Sequence, residues 1–189
     1  MRRLFTTFIS LIFATAIFAQ ESHLKFKGVP INGSLTEFVN KIKSAGFTHL
    51  GTEDGIAVLE GDFAGYKKCT VGVYTIKPLN IVSMIGVIFN SRENWTDLES
   101  DYNLLKEMLT EKYGAPSQVI EEFEHSTIDD DDKLFELQMN RCTWASLFKT
   151  DLGEIELLIH HQDFQTNVIL RYRDKANTEK VRQQALNDL

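Results

Sequence analysis

A single helix divides this chain. Between Asn94 and Gly114 the residues NWTDLESDYNLLKEMLTEKYG set Trp95, Leu98, Tyr102, Leu105 and Leu109 at spacings of three and four. That spacing lines them up on one stripe of a 3.6-residue helix. Asn94 is a cap residue, with acids crowding the first turns. Lys112 stands in the last turn, Gly114 just past it, and Pro116 forbids continuation. Runs with strand character lie on both sides, so the helix separates two halves of similar plan.

In the first half, Ser34-Leu35-Thr36-Glu37 spells a capping box. Leu35, Phe38, Val39 and Ile42 form one apolar face, and Gly46 ends the element, which predicts a helix over 34–45. Extended segments are expected at 24–27, 47–51, 55–63, 67–77 and 81–89. The last, IVSMIGVIF, is apolar on both faces, which implies cover on both sides or a central place in a sheet. In the second half, 117–123 reads as a strand and 124–132 as an acidic loop. Residues 133–150 read as a long strand or a bent pair, 154–161 and 167–173 as strands, and 174–189 as an exposed helix. The expected fold is α+β: two α–β4 repeats, about 24–90 and 94–173, whose antiparallel sheets pack on the helices, followed by the C-terminal helix.

The N-terminus carries a targeting pattern. Arg2 and Arg3 precede an uncharged apolar run from Leu4 to Phe18, and Ala19 follows, so cleavage before Gln20 is expected. The run is too short for the roughly 20 residues of a membrane span. Residues 1–19 therefore read as a signal peptide, and 20–189 as a single exported domain, periplasmic or extracellular. Loss of Arg2 and Arg3 takes the formal charge from −7 to −9. That sign argues against a nucleic-acid binder, which needs a basic stripe, and no later stretch is apolar enough to span a membrane. Export also sets the expectation for Cys69 and Cys142: two cysteines in an oxidising compartment are read as one disulfide.

Chemical motifs are sparse. There is no G-x-S-x-G, no G-x-G-x-x-G and no P-loop. His160-His161 with Asp163 suggests a metal or a general base, yet adjacent side chains on a strand point to opposite faces. His23, His49 and His125 are scattered. Asp129 to Asp132 offer oxygen ligands for calcium, but without the Gly and Glu of an EF-hand loop they read as a solvated loop. Neither a metal nor a cofactor is expected. Two function classes remain: a non-catalytic module that binds a protein or small ligand through a sheet surface, and a small hydrolase assembled from scattered histidines and acids. A pocket with convergent polar groups marks the second; an apolar patch on a sheet face marks the first. The binding module is the preferred reading. Trp144 and Arg141, residue types common at interface centres, are candidate anchors, with Trp144 read more readily as core.

Four stretches carry a resemblance: a leader ending FAQ, the segment GDFAGYKKCT, the helix end LTEKYGAP and the later RCT. Together they resemble a group of uncharacterised secreted proteins of gut Gram-negative bacteria. The resemblance implies export and no particular activity. The α–β4 plan is also similar in topology to the two-repeat β-lactamase-inhibitor proteins, with no inhibitor motif matched.

Overall fold

The computed structural model describes residues 22–76, 79–125, 128–129 and 132–187. The expected signal peptide, 1–19, and Asp130 and Asp131 of the acidic run lie outside them. A short hairpin opens the described chain, β1 (Lys25–Phe26) and β2 (Val29–Pro30), followed by α1 (Leu35–Ser44). Four strands come next: β3 (Thr48–Glu53), β4 (Ile56–Phe63), β5 (Tyr66–Ile76) and β6 (Ile81–Ile88). Then come α2 (Trp95–Tyr113), β7 (Gln118–Phe123), α3 (Lys133–Gln138), β8 (Cys142–Thr150), β9 (Gly153–Gln162), β10 (Gln165–Asp174) and α4 (Lys175–Asn187).

Helices α1 and α2 form where the capping and periodicity require. The Ser34 hydroxyl accepts from the Glu37 N–H, and the Glu37 carboxylate accepts from the Ser34 N–H, closing the capping box of α1. Asn94 caps α2 by accepting from the Asp97 N–H. The stripe Trp95, Leu98, Tyr102, Leu105 and Leu109 is buried throughout.

Eight strands make one antiparallel sheet in the order β3-β4-β5-β6-β10-β9-β8-β7. Strands from before α2 occupy one side and strands from after it the other. They meet where β6 pairs antiparallel with β10, Ile88 opposite Ile169 and Ile85 opposite Tyr172. β6 is thus central, as its apolar character requires. α1 packs over β3, β5 and β6, and α2 over β8, β9 and β10. The core fills the layer between them with Val71, Val73, Ile85 and Val87 from one side and Ile155, Leu157, Val168 and Leu170 from the other. The β1–β2 hairpin closes one end: Phe26 stacks on Phe63 at 5.1 Å and meets Phe47 and Tyr172.

Two sequence expectations need correction. Residues 133–138 are helical, not the start of a strand. Leu134 and Leu137, three apart, both pack on the core, and a helical turn brings them there together. Arg141 then holds the buried Glu136 carboxylate through two hydrogen bonds, at 2.6 and 3.0 Å. The second correction is the disulfide: Cys69 and Cys142 are free thiols. Cys69 lies on β5 and Cys142 on β8, with β6, β10 and β9 between them. At about 4.8 Å per strand this sets them on the order of 19 Å apart, while a bridge needs Cα atoms within about 7 Å. Burial raises both thiols, Cys142 to about 12 with help from Glu136.

Candidate functional site

Side-chain alternation splits the sheet into two unlike faces. The face toward α1 and α2 is the core. On the other face the same strands place a second apolar set: Ile56 and Val58 on β4, Tyr74 on β5, Met84 and Ile88 on β6, Ile169 on β10, Leu158 on β9 and Leu147 on β8. None of these joins the core cluster. Ile88 is 37 % exposed, and most of the others are half-buried by their neighbours along the sheet.

At the centre of this face, helix-free except where α4 borders it beside Arg173 and Glu154, and across the β6–β10 pairing, lies a cleft of about 140 Å³. Tyr74, Met84, Gly86, Ile88, His160, Gln162, Ile169 and Arg171 line it. Its floor depends on two glycines opposite each other, Gly72 and Gly86. A Cβ on Gly72 would lie 2.9 Å from the Tyr74 ring, and one on Gly86 3.4 Å from it. The ring therefore lies down over both residues, a close approach that only glycine admits at Gly72.

Two polar groups frame the cleft. Arg171 donates to the Glu156 carboxylate at 3.2 Å, and Arg173 reaches the same carboxylate at 3.5 Å. One acid thus serves two guanidinium groups, and no acid stands among the cleft-lining residues. His160, opposite Asn167 in the ladder, adds a ring nitrogen to the wall. Among the described residues neither that ring nor the Tyr74 hydroxyl has a hydrogen-bond partner.

At the tip of the β9–β10 hairpin, next to Gln162, Asp163 and Phe164 both take positive φ, 50° and 64°. Phe164 is fully exposed there, at 101 %. An aromatic residue in the left-handed region costs energy that a glycine would not, and its ring covers nothing in the fold.

The residues singled out from the sequence fall elsewhere. His160 and His161 point to opposite faces, His161 with its Nδ1 buried and unpartnered, and Asp163 sits at the hairpin tip, so the three do not converge. Among the described residues no three His, Cys, Asp or Glu side chains come together as a metal site would need. Asp132 stands before α3 and makes no side-chain cap bond. Trp144 lies on the helix side of the sheet, its ring edge-on to Trp95 at 5.0 Å and against Phe123 at 5.3 Å. Arg141 is committed to Glu136, with its guanidinium over the Phe135 ring. Neither belongs to the helix-free face. The cleft residues escaped the sequence reading because their signal was split: the doubly apolar run at 81–89 showed that something lies against both faces of β6, but not that one face is open. No described helix is long and apolar enough to cross a membrane. No protein-family model matches this chain, no curated protein matches it, and no solved structure matches it.

Proposed function

We propose that this is an exported, non-catalytic binding module that holds another protein against the helix-free face of its sheet. One observation carries the reading: a contiguous apolar set running from Ile56 on β4 through Tyr74 and Ile88 to Leu158 and Leu147 on β9 and β8, separate from the core. Leaving such a surface in water forfeits about 25 cal/mol for each Å² that a partner would cover, and contiguous apolar patches of this kind mark interaction sites. The exposed Phe164 stands at the tip of the β9–β10 hairpin, two residues from Gln162 of the cleft wall.

Export rests on the order of Arg2-Arg3, the apolar run and Ala19. Mass spectrometry of the native protein is expected to find a chain beginning at Gln20, and a mature chain retaining Met1 would overturn export by cleavage. We also read the molecule as two α–β4 units related across the β6–β10 pairing. The strand order supports this, since it runs β3 to β6 from one edge and β7 to β10 from the other with β6 and β10 adjacent. The extra helix α3 in the second unit is then an insertion between its first two strands.

The test of binding is differential. Immobilised wild-type protein and an Ile88→Asp variant are each exposed to an envelope extract of the producing cells. A protein retained by the wild type and lost by Ile88→Asp, with both folded by circular dichroism, is the expected result. Equal retention by the two would overturn the reading.

A further inference from the structure

Resting on that reading, we propose that the central cleft receives one carboxylate side chain, an Asp or Glu of the partner protein, set in an apolar segment. The volume argues first. At about 140 Å³ the cleft is well below the roughly 300–1,000 Å³ of sites that enclose a free small molecule, so it suits a single side chain presented by a larger body. Charge argues second. The walls offer the Arg171 guanidinium and no acid. Glu156 lies outside the cleft and is shared between Arg171 and Arg173, which leaves the centre of the face with more positive than negative charge. This local excess sits in a chain whose formal net charge is −7. A bare apolar insert would strip water from the guanidinium and return nothing, whereas a carboxylate replaces that water with a charge-assisted hydrogen bond.

The geometry of the rim fits the same occupant. Tyr74, Ile88, Ile169 and Met84 surround the polar end with apolar surface. Such a collar keeps water from the buried ion pair, as the near-neutral contacts around an interface hot spot do. Arg171 is 31 % exposed, so it is reachable, and it is held on its far side by Glu156 at 3.2 Å. In this arrangement Arg171 donates to the incoming carboxylate with the N–H groups that Glu156 leaves free. The His160 N–H and the Tyr74 hydroxyl supply further donors.

The test selects 12-residue random peptides displayed on phage against the purified protein. The expected pool carries an Asp or Glu flanked by apolar residues. Arg171→Gln should weaken synthetic peptides from that pool about tenfold, and Glu156→Gln should tighten them by releasing both guanidinium groups. A merely structural role for Arg171 would not produce the tightening. An apolar pool without acids, insensitive to Arg171→Gln but abolished by Ile88→Asp, would overturn the carboxylate site and leave the binding face standing. A pool indifferent to both variants, or no pool at all, would overturn both. Sedimentation that finds a dimer dissociated by Ile88→Asp would make a second copy the occupant and overturn the partner proposed here.

Discussion

Asp174 shows how much a single side chain can fasten. Its carboxylate is wholly buried at the end of β10, where it accepts from the His23 ring at 3.0 Å, the Leu24 N–H at 2.9 Å and the Asn177 N–H at 2.9 Å. Asn177 in turn donates to the carbonyls of Ile31 and Val82. One acid thus ties the first described strand to the last helix. Asp174→Ala strands two backbone donors, and chemical denaturation is expected to show a loss of about 2–4 kcal/mol. Phe164 is the opposite case. Removing its side chain relieves backbone strain, so Phe164→Gly is expected to raise stability by about 1 kcal/mol while weakening the interaction tested with Ile88→Asp. A variant that bound normally would remove Phe164 from the interface.

Elements were legible in proportion to how much of their signal is local. α1 and α2 announce themselves because cap, stripe and stop lie within a few residues of one another. Ser34→Ala is expected to cost about 1 kcal/mol in denaturant titrations. The cap also has a pH signature. Its bonds with Ser34 hold the Glu37 carboxyl below its ordinary value. A depressed carboxylate contributes stability above the unfolded-state pKa and loses it as pH falls through the folded one, so the stability difference between wild type and Glu37→Gln should shrink on acidification below the ordinary glutamate range, the Ser34 N–H being the main donor to that carboxylate. α3 was missed for a physical reason. Over six residues, Leu134 and Leu137 suit a helical turn while Phe135 and Leu137 suit an alternating strand, and only the core contact decides. The cleft was illegible because its walls come from β5, β6, β9 and β10, and no local pattern says which strands become neighbours. The disulfide failed likewise: composition and compartment say nothing about the strands that intervene.

At the scale of the whole molecule the free cysteines make a direct prediction. A thiol reagent should find Cys69, buried, and Cys142, half-buried, slow to react in the native protein because both pKa values are raised, and two thiols after unfolding without reductant. One or no thiol after unfolding would restore the bridge. The seam between β6 and β10 has a different consequence, concerning the order in which the molecule is made. The hairpins on either side close between near neighbours, but the seam joins distant segments: the Asn167 amide donates to the Phe89 carbonyl 78 residues away, and Thr166 and Arg92 are tied in the same place. Such contacts form late, because the loop must be closed before they return anything. A chain synthesised only as far as α2 therefore holds β6 as a bare edge, apolar on both faces and with its outward hydrogen-bonding groups unpaired. A fragment ending before Trp95 is expected to associate strand to strand, whereas the full chain carries its own β10 to cover that edge.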